Sequence, residues 1–466
     1  MYYRLNPNIG LRSFKLVPYC YYMKGQRNAI GLDREMFEIL SMCDSNHDIP
    51  ESELVKRLVM DGAIRECEKG EYPFDSFQYK ECDNRYFPAA IWEITNRCNY
   101  NCKHCFNAVD NNRSNDIFTL DEAKDLIGQM SDAGIHAITL TGGEPMLHPD
   151  FFDIVFEIHK NDMFVEELNT NGFFINKAAL IKLKMIRSNP LIKISFDGLG
   201  YHNWMRGNDN AEENAINAIK LCVENGFDVK IQTNVWKANI ETLLETAEYF
   251  DSLGVKEMRI IKTTEVPRWK QNANGQSLGF EEYYDDMLDF IRDYIAKEHK
   301  MIVDIWQFVR IFPQGRSYEI KPVVITEGKY RDSIPVCKGN RGMIAIGANG
   351  HVYPCLQISG KYEELNIQLG DVRKQSLHEL LNEGRYLSEV CTTLGDLKKV
   401  NEKCANCKYF RYCAGGCRAL SYVYFDEYLR EDPWKCIFYE SGYYEKLVNV
   451  LEGYTNLTPI KIMENK

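Results

Sequence analysis

The stretch "AIWEITNRCNYNCKHC", residues 90–105, decides how the rest of the chain is interpreted. Its first six residues are typical of a β-strand. The loop that follows places Cys98, Cys102 and Cys105 within eight positions. A structural zinc site needs four closed ligands, whereas three thiolates fit a [4Fe–4S] cluster whose fourth iron is left open. We therefore expect an iron–sulfur cluster that binds a group other than protein.

Zinc held by the three cysteines and His104 is the alternative interpretation of this loop. His104 is adjacent to Cys105 in the sequence, which is a poor position for closing a tetrahedron on the same metal. The iron–sulfur interpretation is therefore favoured.

Strand and helix patterns alternate from residue 88 to about residue 300. The predicted strands are residues 90–95, 136–141, 163–169, 191–197, 229–235 and 257–262, and the predicted helices are residues 120–134, 150–160, 177–186, 211–225 and 240–254. Six βα units predict an α/β fold with a parallel sheet and helices outside it. Such sheets carry their chemistry at the carboxyl ends of the strands, which is where the cysteine loop begins.

Composition narrows the class of protein. The chain has 466 residues, 45% of them hydrophobic, and a net charge of −11. The N-terminus lacks a signal-peptide pattern, and no apolar run approaches the roughly 18 residues of a membrane span. We expect a soluble cytoplasmic protein with no membrane partner. The negative charge argues against nucleic acid as a partner.

The chain contains sixteen cysteines, and their positions separate two groups. Disulfides rarely persist in a reducing cytoplasm, so the clustered cysteines are interpreted as metal ligands. Scattered cysteines are usually small buried apolar residues. The scattered group is Cys20, Cys43, Cys67, Cys82, Cys222 and Cys391.

Residues 1–75 form a different kind of unit. A strand pair around Lys24–Gly25 and two amphipathic helices, in residues 34–44 and 50–62, predict a module of winged-helix size. Such modules often bind DNA, but ten Lys and Arg face twelve Asp and Glu here, so the basic surface expected for DNA is missing. We expect a linker at residues 76–88.

The cysteine loop and three later motifs resemble the radical S-adenosylmethionine (SAM) enzymes. The family signature is C-x3-C-x-aromatic-C, and Cys98, Cys102 and Cys105 match it with His104 in the aromatic position. The later motifs follow in the family's order: "GGEP" (Gly142, Gly143, Glu144, Pro145), "SFDG" with Ser195 and Asp197, and "WMRG" with Arg206.

The resemblance implies a partial (β/α)6 barrel over residues 89–310 and a role for each motif. "GGEP" would meet the methionine amino group of SAM, with Glu144 facing that cation and the glycines allowing close approach. "SFDG" would contact the ribose, and Arg206 would lie near the SAM carboxylate. One electron from the cluster would cleave SAM to a 5′-deoxyadenosyl radical, which takes a hydrogen atom from the substrate.

A string of seven cysteines occupies the last third of the chain: Cys337, Cys355, Cys404, Cys407, Cys413, Cys417 and Cys436. Asn349–Gly350 between the first two is a hairpin signal. Paired motifs of this kind also occur in zinc ribbons. The order and spacing of the whole string resemble the SPASM domain of radical SAM enzymes that act on peptides and proteins. We place that domain at residues 311–466.

SPASM domains carry two auxiliary iron–sulfur clusters, so the resemblance implies three clusters in all, of the [4Fe–4S] type. One would be held by Cys404, Cys407, Cys413 and Cys436, and the other by Cys337, Cys355 and Cys417. Two fully ligated clusters need eight ligands, one more than the motif supplies. Either a residue outside the motif completes the set, with Cys391 the nearest candidate, or one iron stays open.

Residues 1–75 resemble the RiPP recognition element, the fold of the pyrroloquinoline-quinone peptide chaperone, which binds the leader of a precursor peptide. β-Augmentation at an exposed sheet edge would be its mode of binding. The chain is thus expected to mature a ribosomally made peptide, with a flavodoxin- or ferredoxin-type protein as electron donor.

An open iron at the second auxiliary cluster would favour a thioether link between a cysteine sulfur and a carbon. Carbon–carbon cross-linking and epimerisation are alternatives, as is oxidation of a protein in the manner of sulfatase maturases. A non-enzymatic iron–sulfur protein is disfavoured by the intact Cys98 loop followed by "GGEP".

Overall fold

The computed structural model describes residues 1–107, 116–321, 330–337 and 342–458. Its N-terminal part contains two helices and two small sheets. The elements are β1 (Tyr3–Leu5), β2 (Ile9–Phe14), β3 (Cys20–Met23), β4 (Ile30–Gly31), α1 (Arg34–Ser41), α2 (Glu53–Met60), β5 (Ile64–Glu66) and β6 (Tyr79–Cys82). β1 pairs with β5, and the order of the other sheet is β4-β3-β2-β6.

The two N-terminal helices begin where the sequence predicts, because each has a side-chain cap. Asp33 accepts a hydrogen bond from the backbone N–H of Met36, and Ser52 accepts one from Val55, which satisfies an N–H that the helix leaves unpaired. The predicted turn is present, with Gly25 at φ 76°.

The stretch expected to be a linker differs from that expectation. Tyr79–Cys82 forms β6, which pairs in parallel with β2 and places Tyr79 opposite Leu11. Polar residues such as Lys80 interrupt any apolar alternation, so only the pairing with a distant strand makes this segment a strand.

The central part alternates strands and helices as predicted. Its elements are β7 (Ala89–Thr95), α3 (Leu120–Asp132), β8 (Ala137–Gly142), α4 (Phe151–Lys160), β9 (Phe164–Thr170), α5 (Lys177–Met185), β10 (Leu191–Ser195), α6 (His202–Arg206), α7 (Ala211–Glu224), β11 (Val229–Val235), α8 (Leu243–Ser252), β12 (Glu257–Lys262), α9 (Pro267–Asn272), α10 (Phe280–Ile295) and β13 (Ile302–Ile305).

The C-terminal part is mostly helical. Its elements are β14 (Val309–Phe312), β15 (Ser317–Ile320), β16 (Met343–Ile346), β17 (Val352–Tyr353), α11 (Leu356–Glu364), α12 (Leu377–Asn382), α13 (Gly384–Val390), α14 (Leu394–Val400), α15 (Glu402–Asn406), α16 (Phe410–Cys413), α17 (Arg418–Phe425), α18 (Pro433–Glu440), α19 (Tyr443–Val450) and β18 (Thr455–Asn456). β16 and β17 form the predicted hairpin, with Gly350 at φ 88°.

One sheet of twelve strands joins the central and C-terminal parts, in the order β17-β16-β7-β8-β9-β10-β11-β12-β13-β14-β15-β18. β7 to β13 run parallel, which is the predicted α/β partial barrel. The sheet continues past the boundary expected at residues 310–311, since β14 crosses it. No helix among the described residues combines the length and the apolar character needed to cross a bilayer.

The N-terminal module packs against the amino ends of the barrel strands. His136, which immediately precedes β8, contacts the carbonyls of Gln26 and Arg27 through Nε2, each at 3.2 Å. The guanidinium of Arg27 pairs with Glu166 on β9 at 3.2 Å. The carboxyl ends of the strands are therefore left for the loops that carry the predicted site.

Candidate active site

Cys98, Cys102 and Cys105 lie together in the loop that follows β7. They pack in one small cluster with Tyr100 and Ala211. Cys102 is buried, and its neighbours Cys98 and Cys105 are half-buried. The three predicted cluster cysteines are thus assembled at the carboxyl end of the first barrel strand.

Helix α6 fixes the backbone of this loop. The N–H of Asn101 donates to the carbonyl of Arg206 at 3.2 Å, and that of Lys103 donates to Met205 at 2.8 Å. Gly207, at φ 60°, ends the helix so close to the Asn101 carbonyl that a Cβ would clash. The last residues of α6 and the cysteine loop therefore form one paired unit.

Glu144 is a buried carboxylate suited to pairing with a cation. It is fully buried and accepts hydrogen bonds from Thr170 Oγ1 (2.8 Å), the Asn171 N–H (2.8 Å) and the Met146 N–H (3.2 Å). Burial raises its pKa to about 7, and no ion pair to it occurs among the described residues. A buried carboxylate of this kind fits the amino group of SAM. Pro145 begins the short 3-10 turn that follows it.

The two glycines of "GGEP" pack against protein backbone. The N–H of Gly143 donates to the Thr95 carbonyl at 2.7 Å, and that of Glu144 donates to the Arg97 carbonyl at 2.8 Å. A Cβ on Gly142 or Gly143 would clash with those carbonyls. Their absence of side chains lets the β8 loop pair with the cysteine loop.

Asp197 holds Arg206 against the cysteine loop. Arg206 Nε lies 2.7 Å from Asp197 Oδ2, and Arg206 Nη1 lies 3.7 Å from Cys102 Sγ. His202 and the N–H of Asn234 also contact this carboxylate, at 3.5 and 3.0 Å. Although burial opposes ionisation, the positive charge of Arg206 keeps the pKa of Asp197 well below its usual range. Asp197 therefore positions Arg206 beside the cysteine loop.

His104 and Ser195 lie at the same end of the sheet. The Nε2 of His104 is 2.8 Å from Asn234 Nδ2, and burial, with the charge of Arg206 nearby, lowers its pKa to about 3. A neutral imidazole is consistent with a packing role beside a cofactor. Ser195 is the last residue of β10, opposite Gln232.

Four of the C-terminal cysteines line one small cavity. They are the set predicted to share a cluster: Cys404, Cys407, Cys413 and Cys436. Aromatic residues, including Tyr409, Phe410 and Tyr439, complete its wall together with the buried Lys435. The cavity is small, apolar and rich in thiols, which suits an iron–sulfur cluster.

Cys337, Cys355 and Cys417 form the other predicted set. Burial raises the pKa of the Cys417 thiol, and the nearby charges of Cys355 and Cys337 raise it further, so the three cysteines lie in one region. Cys355 and Cys417 occupy the N-cap positions of α11 and α17. Backbone N–H groups and the positive end of a helix both stabilise a thiolate. The sequence pattern could not reveal this shared placement.

Among the described residues, no three His, Cys, Asp or Glu side chains are close enough to hold a single metal ion. A four-iron cube is larger than one ion and accepts wider thiol spacing, so the three cysteine sets are compatible with clusters.

A larger cavity, open to solvent, lies between the cysteine loop and the C-terminal part. Cys105 and Phe106 form one wall, Glu265 and Lys270 follow β12, and α11 closes the opposite side. It is open at the carboxyl ends of the strands, where substrate chemistry is expected.

Two residues that hold the cysteine loop in place were not predicted from the sequence. Asn171 Nδ2 donates to Asn99 Oδ1 at 2.8 Å, and the guanidinium of Arg268 contacts Asn101. Both contact the cysteine loop, Asn171 from the segment after β9 and Arg268 from α9. The polar run "NTNG", residues 169–172 at the end of β9, was the available signal for Asn171, since polar residues at the carboxyl ends of parallel strands often serve a site.

Two regions of the chain are similar to known protein families. Residues 92–250 match the radical SAM superfamily, and residues 337–408 match the SPASM iron–sulfur cluster-binding domain. The AdoMet-dependent heme synthase of Methanosarcina barkeri is 28% identical over 74% of this chain and 95% of its own length.

Two solved structures have a similar fold. SuiB of Streptococcus suis bound to the precursor peptide SuiA has a TM-score of 0.65 at 15% identity, covering 92% of this chain and 98% of that one. Native anSMEcpe with bound AdoMet has a TM-score of 0.58 at 20% identity, covering 78% of this chain and 99% of that one.

Proposed function

We propose that this chain, which is a radical SAM enzyme with a C-terminal SPASM domain, matures a ribosomally synthesised precursor peptide. SAM and iron–sulfur clusters are its cofactors. The observation that carries the proposal is the cavity between Cys105 and α11. It lies between the radical-forming loop and the helix that begins after Cys355, so a bound peptide side chain would contact both.

Each residue of the site has a proposed task. Cys98, Cys102 and Cys105 hold the first cluster, and Glu144 pairs with the amino group of SAM. Arg206, fixed by Asp197, places a positive charge beside Cys102. When bound, the cluster and SAM supply a carbon radical that takes hydrogen from the substrate.

The N-terminal module supplies the proposed leader site. Residues 76–466 are 391 of the 466 residues, or 84% of the chain, so the 92% covered by SuiB must include part of the module. β4 is an edge strand with Ile30 46% exposed. An extended leader can add a strand at such an edge. A flavodoxin- or ferredoxin-type protein is the proposed electron donor.

The finer proposal is an intramolecular thioether from a cysteine sulfur to a carbon. This reaction removes two hydrogens from the peptide and releases an electron, which an auxiliary cluster accepts. Carbon–carbon cross-linking has the same balance of hydrogens, whereas epimerisation leaves the mass unchanged.

Synthesis of a heme is the second candidate function, because the heme synthase of M. barkeri aligns over nearly its whole length. The N-terminal module and the SuiB-like fold favour the peptide.

The experiment is co-expression of the chain with the small peptide gene nearest to its own, followed by mass spectrometry. A peptide two hydrogens lighter supports oxidative cross-linking, and loss of one iodoacetamide-reactive thiol identifies the thioether. An unchanged peptide, combined with turnover of an iron porphyrin precursor in vitro, would replace the peptide proposal with the heme proposal.

A further inference from the structure

Cys391 ends helix α13 and leads into a segment that pairs with the chain before Cys337. The N–H of Val336 donates to the Thr392 carbonyl at 2.9 Å. Pro335 and Thr393 form an antiparallel bridge. Two segments separated by more than fifty residues are therefore fixed side by side.

The register of this bridge relates Cys391 to Cys337. Two residues after Pro335 is Cys337, and two residues before Thr393 is Cys391, which is the helical C-cap residue of α13. The bridge therefore brings the two cysteines to the same end of the paired segments. The hydrogen bond from the Leu394 N–H to Ile334, at 2.7 Å, extends the same pairing.

Tyr386 provides an independent observation. Its side chain is fully buried, and its hydroxyl has no hydrogen-bond partner among the described residues. Cys391 and Cys355 both act electrostatically on this hydroxyl. Since buried hydroxyls are nearly always paired, the Tyr386 hydroxyl indicates an acceptor near these two cysteines that the described residues do not supply.

We propose that Cys391 is the fourth protein ligand of the auxiliary cluster at Cys337, Cys355 and Cys417. On binding, the Cys391 S–H bond breaks, its proton passes to water, and the thiolate forms a bond to iron with no change of oxidation state. Tyr386 donates its hydrogen bond to a sulfur of this site. The inference rests on the proposed role of the other three cysteines.

The consequence is a closed cluster. A substrate thiolate then has no free iron to bind there, and this cluster takes part in the proposed thioether reaction as an electron acceptor only.

The test uses the full chain with Cys98, Cys102 and Cys105 replaced by Ala. This change removes the SAM-binding cluster, whose open iron would itself bind the probe. After anaerobic reconstitution and reduction, ¹³C-cyanide is added and its coupling to iron is measured by electron–nuclear double resonance. We expect no bound cyanide while Cys391 is present. Cys391→Ala should either create one iron that binds cyanide or lose the whole cluster, in which case the iron content falls by about four of eight irons.

Cys67→Ala is the matched control, because Cys67 is also half-buried but lies in the N-terminal module, and it should change neither iron content nor cyanide binding. Cyanide bound equally well with Cys391 intact would overturn the inference. Cys337→Ala tests the other three ligands separately from Cys391. Unchanged iron content in that variant would contradict the assignment of Cys337, Cys355 and Cys417 as ligands. Loss of iron in that variant, together with cyanide binding in its parent, would contradict only the role of Cys391.

Discussion

The guanidinium of Arg206 reaches the cysteine loop, with its Nη1 3.7 Å from the Sγ of Cys102. Its Nε is 2.7 Å from Asp197, which is fully buried. Removing one partner of a buried pair leaves an uncompensated charge and costs about 3–5 kcal/mol. Arg206→Gln should therefore lower the free energy of unfolding of the iron-free chain by that amount, measured with urea. The double variant with Asp197→Asn should recover part of the loss, and equal stability of the single variant and the parent would contradict the role of the pair.

The raised pKa of Glu144 predicts pH-dependent SAM binding. Below pH 7 the carboxyl is mostly protonated in the free protein and must lose its proton before it pairs with the SAM ammonium. We expect SAM to bind about fivefold more weakly at pH 6 than at pH 7.5, after allowing for loss of the ammonium proton near pH 7.7–8. Calorimetry with the reconstituted protein measures this. Glu144→Gln should bind weakly at both pH values, and an unchanged pH dependence in that variant would assign the titration to another group.

Iron content tests the assignment of the cysteines. Three four-iron clusters give about twelve irons per chain after anaerobic reconstitution. Replacing Cys98, Cys102 and Cys105 by Ala should remove about a third of this iron and abolish 5′-deoxyadenosine formation. Undiminished 5′-deoxyadenosine from this variant would rule out the loop as the site of SAM cleavage.

The leader site is tested at the edge strand. Ile30→Asp places a charge where the leader would cover an apolar side chain, so the affinity for the precursor should fall about tenfold or more. Met60→Asp is the control, because Met60 lies on α2 and is 86% exposed. Fluorescence anisotropy of a labelled precursor gives both affinities. Equal affinity in the two variants would exclude β4. Deletion of residues 1–75 should weaken binding further and leave uncoupled SAM cleavage.

Lys435 should raise the reduction potential of the cluster held by Cys404, Cys407, Cys413 and Cys436. It is buried in the wall of their cavity, and burial lowers its pKa to about 7, against the opposing charge of Asp432. A cation beside a cluster favours the reduced, more negative state. Lys435→Met should lower the reduction potential by on the order of 50 mV in a potentiometric titration followed by electron paramagnetic resonance. Lys408→Met, on the exposed surface, should leave it unchanged.

The parallel strands β7 to β12 were predictable from sequence because each is a local apolar run followed by an amphipathic helix. β6 and β18 were not, since short strands owe their existence to distant partners, as Tyr79 does to Leu11. The resemblance of the cysteine string to SPASM domains likewise implied the set around Cys404, whereas the packing of Gly143 depends on a carbonyl from another loop. Contacts between segments far apart in the sequence leave no local pattern.

The N-terminal module docks at the amino ends of the strands, through Arg27 and Glu166. This docking fixes the distance between the module and the opposite end of the barrel. The proposed leader edge at β4 and the cavity between Cys105 and α11 lie at opposite ends of the barrel. A seven-residue strand such as β9 spans about 23 Å at roughly 3.3 Å per residue. A precursor held at β4 must therefore cross at least that distance before its first modifiable residue meets the radical. Residues closer to the leader than about seven positions stay out of reach, so spacer length selects the site of modification.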